Sequence, residues 1–188
     1  MLIDDVMPVY DVIKHHEAVL SARPEVVFDA IKGIDFGRSP YIRALLTLRE
    51  LPQLVRGALP SERLDFEFLM NRGFVVLAED PDREIVLGVA GRFWRPDGGM
   101  VRVDPSEFLT LELPNLAKAT MNFAVTDLGG GKTKLTTETR VLCTDNKARR
   151  NFGIYWKVIG PFSGFIRTQT LKLIADEVGR VDPVKVLL

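Results

Sequence analysis

The C-terminal part of the chain carries one long amphipathic pattern, and no other feature restricts the fold as strongly. Between residues 145 and 178, apolar side chains recur at steps of three, four or seven, the period of one helix face. A straight helix of this length would extend about 50 Å, well over the diameter of the rest of the fold. We expect Thr144 or Asp145 to cap it and Gly160-Pro161 to kink it. The stripe consists of Phe152, Tyr155, Ile159, Phe162, Ile166 and Leu173.

Ahead of this helix, from residue 63 to 143, the pattern changes to the alternation typical of strands. Residues 119–128 and 132–143 flank Gly129-Gly130-Gly131, which predicts a hairpin. Alternation then assigns each side chain to one face of the sheet. The predicted inward set is Met121, Phe123, Val125, Leu135, Thr137, Thr139 and Val141, and the predicted outward set is Asn122, Ala124, Thr126, Thr136, Glu138 and Arg140.

Three further strands, a possible fourth and a short helix are expected. Residues 9–20 are typical of an opening strand, and 74–79 with 84–94 form a second hairpin around the turn sequence 80–83. Residues 108–113 are a possible strand that Pro114 stops. Between the first two strands, Ser21 to Glu25 supplies a cap candidate, a proline and an early acid, so a helix follows and ends at Gly33.

The segment 36–60 is different in kind from its neighbours. It contains three prolines, four arginines and one glutamate, which gives a local charge of +3, together with six leucines. The prolines predict short helical pieces instead of one helix. We expect a helical insertion that covers an apolar opening as a mobile lid, and a fixed insertion with solvated arginines is the alternative.

Charge and cysteine content exclude several classes of protein. The formal net charge is zero, which argues against nucleic-acid binding because such domains carry a basic excess. Cys143 is the only cysteine, so no internal disulfide forms, and the acidic N-terminus does not resemble a signal peptide. No apolar run reaches the ~18 residues of a membrane span. A cytoplasmic location is therefore expected.

Metal, cofactor and nucleophile sites are not indicated. His15 and His16 are adjacent in a strand, so their side chains point to opposite faces and do not chelate one ion. Gly131-Lys132-Thr133 resembles the end of a phosphate-binding loop, but Thr126 occupies the position of its first glycine. Residues 160–164 resemble a nucleophile elbow inside a helix, which is the wrong context. We expect Glu138 and Arg140 to form a solvent-face pair of small energetic value.

The order of elements resembles the START-like superfamily of polyketide cyclases, lipid-transfer proteins and pollen-allergen-like proteins. Residues 16–29 are similar to the family's first strand and helix, and 88–94 and 137–141 to later strands. Residues 155–161 with Ile166-Arg167 are similar to the terminal helix of an uncharacterised bacterial branch. The resemblance covers about residues 10–178 and implies one α+β domain over 1–188 with a helix-grip fold. In that fold a curved antiparallel sheet of six or seven strands wraps around the last helix.

The resemblance also implies a cavity between the sheet and the last helix. Pockets of this kind are mostly apolar with a few placed polar groups. Aromatic and apolar side chains here would form its walls, and the hydroxyl groups of Thr137, Thr139 and Tyr155 would orient a ligand; the same residues would otherwise simply fill the core. The predicted walls are Phe93, Met121, Phe123, Phe152, Tyr155 and Ile159.

Three functions remain open at this point. The first is binding or transport of a small to medium apolar ligand, lipid-like or polyketide-like, without a cofactor or metal. The second is a cyclase or dehydratase, which needs an ionisable group inside the cavity; Glu138, His16 and Arg92 are candidates if the predicted faces are inverted. The third is a protein-interaction module with a closed cavity. Transient membrane contact is compatible with all three, and the sequence leaves the oligomeric state open.

Overall fold

A computed structural model describes residues 1–44, 63–97 and 99–181 of the chain. Within them, a six-stranded antiparallel sheet lies against one long C-terminal helix. This is the predicted α+β helix-grip architecture. The strands are β1 (Val12–Leu20), β2 (Val75–Asp80), β3 (Glu84–Gly91), β4 (Met100–Val101), β5 (Ala117–Gly129) and β6 (Lys132–Cys143), in the spatial order β1-β6-β5-β3-β2, with β4 paired to β3.

The described residues form four labelled helices and two short 3-10 turns. The last helix spans 36 residues, two more than the predicted 145–178, and Pro161 lies inside it. Phe162, which was predicted in the continuous apolar stripe, is 47% exposed, so the stripe is not buried along its whole length. Its first turn is capped as expected, because the backbone N–H of Ala148 donates to Asp145 Oδ1 at 2.7 Å. The helices are α1 (Leu2–Val6), α2 (Pro24–Lys32), α3 (Phe66–Asn71) and α4 (Asn146–Val181), and the 3-10 turns are Phe36–Arg38 and Pro105–Glu107.

Both predicted hairpins are confirmed, with two local corrections to the elements around them. Gly129, Gly130 and Gly131 all have positive φ and join two antiparallel strands, and Lys132 begins a strand where a phosphate-binding loop requires a helix. Ser21 was the expected cap of α2, but the helix begins at Pro24 with Arg23 as N-cap and no side-chain cap bond. The predicted strand 108–113 is wrong. It is a turn whose Phe108 is fully buried, because that ring covers the back of the sheet.

The inner face of the sheet, which is the face toward α4, carries the predicted inward side chains. The apolar ones among them are divided between two apolar clusters. The main cluster packs α2 and the C-terminal half of α4 against one end of the sheet, and includes Phe28, Ile31, Leu87, Phe123, Leu135 and Ile174. The second cluster lies at the other end, against the first turns of α4, and includes Val89, Phe93, Ala117, Val141 and Phe152.

The outer face is not the solvent face that alternation suggested. A third apolar cluster, formed by Met7, Ala90, Phe108 and Leu116, covers part of it. Beside this cluster, Glu138 and Arg140 retain only 8% and 6% of their exposure. The prediction of a solvent-face pair is therefore wrong, because α1 and the loop before β5 cover this side of the sheet.

The polar side chains on the outer face form a complete hydrogen-bonded network. Arg140 donates to Glu138, to Asp4 and, at 2.8 Å, to the carbonyl of Met7. Asn122 donates to Glu84 at 2.6 Å and accepts from the backbone N–H of Glu138 at 2.7 Å. Glu84 also accepts from the first backbone N–H groups of α1. We call these five side chains the outer network; it fixes α1 to the sheet.

The predicted insertion 36–60 is only partly described. Phe36 and Ile42 are buried in the main cluster, so these two residues at the start of the segment are packed into the core. Residues 45–62 lie outside the described residues, and the lid remains a prediction. In the described part of the chain, no helix has the length and apolar character needed to cross a bilayer.

The outer network predicts a large effect of removing its cation. Arg140→Met should lower the free energy of unfolding by about 3–5 kcal/mol, because the buried Glu138 would lose its guanidinium partner and keep the exposed His15 ring, 3.4 Å away. Urea denaturation followed by circular dichroism measures this loss. The double variant Glu138→Gln, Arg140→Met should regain part of it, since no charge is then left unpaired. A loss below about 1 kcal/mol in the single variant, the size typical of an exposed pair, would contradict the burial described here.

Candidate functional site

The centre of the inner face is less closely packed than its two ends. Along β5 the inward side chains are Ala117, Ala119, Met121 and Phe123; the first and last have no exposure, whereas the middle two are partly exposed. Met121 packs against the main cluster and Ala119 against the second. We call the partly exposed surface around Ala119 and Met121 the inner gap. It lies between the main cluster and the second cluster.

Polar side chains from three elements meet beside the inner gap. In the register of β1 with β6, His16 lies opposite Thr137, and Thr139 is the next inward residue of β6. Thr139 also lies opposite Met121 on β5. From α4, Arg167 Nη1 approaches Thr137 Oγ1 at 3.5 Å. We call His16, Thr137, Thr139 and Arg167 the inner polar group.

Two atoms of the inner polar group are buried without a hydrogen-bond partner. They are His16 Nδ1 and Thr139 Oγ1. Helix α4 comes close to the histidine ring, since a Cβ added at Gly164 would stand 3.7 Å from His16 Nε2. Buried polar atoms are usually paired, and an unpaired one costs about 1–3 kcal/mol. The inner polar group is therefore unsatisfied in the chain alone, whereas the outer network is complete.

The electrostatics of the inner polar group follow from burial. Burial lowers the pKa of the Arg167 guanidinium to about 10, so it remains a cation at neutral pH. Burial is also the main cause that lowers the pKa of His16, followed by the positive charge of Arg167. The imidazole is therefore neutral at pH 7. Among the residues that the structure describes, no carboxylate lies within ion-pairing distance of Arg167.

The predicted site residues fall into three places. Thr137, Thr139 and Met121 line the inner gap. Phe93 and Phe152 lie in the second cluster with their ring centroids 6.3 Å apart, and Tyr155 packs beside them. Phe123 is fully buried in the main cluster, and Ile159 is a partly exposed residue of α4. The structure thus brings the threonines and Met121 together and assigns most of the aromatic residues to the closed ends.

Two members of the inner polar group were not predicted as ligand contacts. His16 was interpreted as a partly exposed strand histidine, although its position an even number of residues before Leu20 places both on one face. Arg167 was recognised only as part of the resemblance. It lies eight residues after Ile159, and the helical period of 3.6 then puts both near the same face.

The other two catalytic candidates do not reach the inner face. Glu138 belongs to the outer network, so the predicted faces of β6 are correct and this carboxylate lies behind the sheet. Arg92 donates to the carbonyl oxygens of Asn115 and Pro114, at 3.0 and 3.3 Å, and holds the loop before β5. Of the three candidates, His16 alone faces α4.

The comparisons with known proteins give structural likenesses without a family. No protein-family model matches the chain, and no curated protein matches its sequence. Among solved structures, a conserved protein from Geobacillus kaustophilus shares 13% identity at a TM-score of 0.46, over 90% of this chain and 96% of that one. Norcoclaurine synthase from Thalictrum flavum shares 14% sequence identity at a TM-score of 0.43, over 93% of this chain and 95% of that one. The Zhui aromatase/cyclase from Streptomyces sp. R1128 shares 10% sequence identity at a TM-score of 0.35, over 90% of this chain and 94% of that one. Likenesses at this level do not transfer a ligand or an activity.

The placement of Arg167 predicts a measurable titration of His16. We expect its pKa to lie below the ordinary value for histidine and to rise in Arg167→Met, because the neighbouring positive charge is removed while burial remains. Two-dimensional NMR of the imidazole Cε1–H signals measures both values, and His15→Gln assigns the two histidines. An unchanged pKa of His16 in Arg167→Met would show that the guanidinium is not beside the ring.

Proposed function

We propose that this chain, a START-like domain throughout, binds or carries a small to medium apolar molecule between the sheet and α4. The observation that carries the proposal is the inner polar group, which lies between two apolar clusters with two buried atoms unpaired. Ligand sites of this kind combine an apolar lining with a few polar groups that fix orientation. A bound molecule would satisfy His16 Nδ1 and Thr139 Oγ1 and cover the inner gap.

The alternative that these residues only fill the core fits less well. A core arranged for stability would pair its polar atoms, as the outer network does on the other side of the same sheet. It would also bury the centre of the inner face as fully as the ends. Ala119 and Met121 remain partly exposed instead. Both departures occur at the same place, which supports a binding role for that place.

A cyclase or dehydratase is the second candidate, and His16 is the residue that favours it. Its imidazole is neutral at pH 7 because its pKa is lowered, so it is able to accept a proton from a bound substrate. Arg167 would stabilise negative charge that develops on an oxygen beside it. Loss of turnover in His16→Gln, with ligand binding intact, would identify the chain as an enzyme of this type.

Native mass spectrometry after mild extraction tests the binding proposal. We expect the purified chain to retain an apolar molecule, seen as a second mass that disappears after denaturation. Ala119→Phe should reduce the bound fraction severalfold, because the larger ring occupies the inner gap. Leu128→Phe is the matched control, since this residue is exposed at the far end of the same strand.

The bound fraction should be unchanged in the control, and circular dichroism should show both variants folded. A chain that carries no molecule, and that takes none from an extract of apolar cell components, would contradict the proposal. Equal retention in the two variants would place the ligand outside the inner gap.

A further inference from the structure

We propose that the ligand is an apolar acid, and that Arg167 binds its carboxylate at the inner polar group. The inference rests on the proposed function and adds the chemical class of the ligand. A cation held between a sheet and a helix needs a counter-charge or many hydrogen bonds. Among the described residues, Arg167 has one long contact, to Thr137 at 3.5 Å, and no carboxylate partner.

The hydrogen-bonding capacity of the inner polar group also favours an anion. A guanidinium offers five N–H donors and no acceptor, each threonine adds an O–H donor, and a neutral imidazole adds one N–H donor. Donors therefore outnumber acceptors in the group. A carboxylate has about four acceptor sites and no donor, which complements such a set, and it binds arginine in a two-pronged geometry.

The position of Arg167 limits the rest of the molecule. The inner gap beside it is lined by Ala119 and Met121, and the aromatic residues of the second cluster lie beyond. A ligand with its carboxylate at Arg167 would extend its body over this apolar surface. Lys14 is a second cation on this face, opposite Thr139 in the register of β1 with β6, but it is exposed. Arg167 is therefore the cation closest to the apolar lining, and its planar guanidinium fits a carboxylate.

Competition against a neutral fluorescent probe tests the inference. N-phenyl-1-naphthylamine first shows whether the chain binds an apolar molecule at all. It is then displaced by two pairs that differ in the headgroup alone, hexadecanoic acid against hexadecan-1-ol and 2-naphthoic acid against 2-naphthalenemethanol. In at least one pair, the acid should bind about 10- to 100-fold more tightly than the alcohol, as expected for hydrogen bonds to a charged group.

The variants locate this preference. Arg167→Met should bring the ratio of acid to alcohol affinity close to one, with affinity for the alcohol nearly unchanged, and Arg167→Lys should keep part of the preference. Arg83→Met is the matched control, because its side chain is 78% exposed in the turn between β2 and β3. The control should keep the full preference.

The possible outcomes separate the two proposals. Probe binding without a preference for either acid overturns the carboxylate inference and leaves the binding function standing. A preference that persists in Arg167→Met also overturns it, since another cation would then be responsible. Absence of binding by the probe and by all four compounds contradicts both proposals.

A second and independent inference concerns the opposite face of α4. Four large apolar side chains are exposed there at helical spacing, with exposures between 41% and 65%. Tyr41 adds an exposed ring that contacts Phe165 edge-on at 5.5 Å. An apolar stripe of this kind on an exposed helix face normally marks an interaction site. The four residues are Ile154, Val158, Phe162 and Phe165.

The charges around this stripe indicate its partner. Residues 146–175 contain six basic side chains and no acidic one. By helical period, four exposed basic residues share the side of the stripe. Two copies of the chain joined through this face would bring these like charges together. We infer that the stripe docks on an anionic bilayer surface, where apolar side chains insert and basic ones meet lipid headgroups. The four are Lys147, Arg150, Lys157 and Lys172.

Vesicle sedimentation tests the docking surface. The chain should sediment with vesicles of phosphatidylcholine mixed with phosphatidylserine, and not with phosphatidylcholine alone. Lys157→Gln should weaken binding about fivefold, the effect of about one surface charge, and Phe162→Ser should weaken it at least as much. Arg83→Gln is the control, because Arg83 lies in the turn between β2 and β3, away from α4. This variant should bind normally.

Light scattering on the free chain tests whether a second copy of the chain, instead of a bilayer, covers the stripe. A dimer that Phe162→Ser converts to a monomer would overturn the membrane inference, because the stripe would then be covered by a second copy. Equal sedimentation with neutral and anionic vesicles would overturn the role of the basic residues. A monomer that sediments with neither kind of vesicle would overturn the inference as a whole.

Discussion

Strict alternation along β5 and β6 is the constraint on which the rest of the structure depends. Each residue on these strands belongs to one face only, so the polar side chains on the two faces form separate sets that cannot exchange partners. The outer set contains charges of both signs, and its polar groups are hydrogen-bonded to one another or to the backbone. The inner set contains a cation, two threonines and a neutral histidine, with two atoms unpaired. The same sheet therefore carries one complete polar network and one incomplete one.

The parts of the fold that depend on local pattern could be predicted from the sequence. The glycine hairpin, the inward set on β5 and β6, and the cap at Asp145 all follow from neighbouring residues, and the structure has them. The covering of the outer face could not be predicted in the same way. It depends on α1, a helix of five residues, and on contacts such as that of Arg140 with Asp4, which are 136 residues apart. Alternation in the sequence assigns side chains to the two faces of the sheet, but it does not indicate which distant segments cover each face.

The candidate site shows the same limit in a different form. Thr137 and Thr139 were predicted as inward polar groups because they sit on an alternating strand. Arg167 was named only in the family resemblance and was given no role. Its partial burial depends on how α4 crosses β1 and β6, which the local sequence pattern does not determine. The register of His16 opposite Thr137 and the contact of Arg167 with Thr137 turn three separate residues into one group.

Gly164 gives the helix a point at which the space beside the inner polar group can be adjusted. A Cβ at this position would touch the His16 ring at an ordinary contact distance, 3.7 Å from Nε2, so alanine fits and larger side chains extend over the histidine. The helix backbone and the four polar residues would not have to change. For the ligand proposed above, selectivity for size would thus be separable from recognition of the headgroup. In a lineage of such chains, a single codon on α4 would then change which molecules are admitted, while the chemistry of recognition would stay the same.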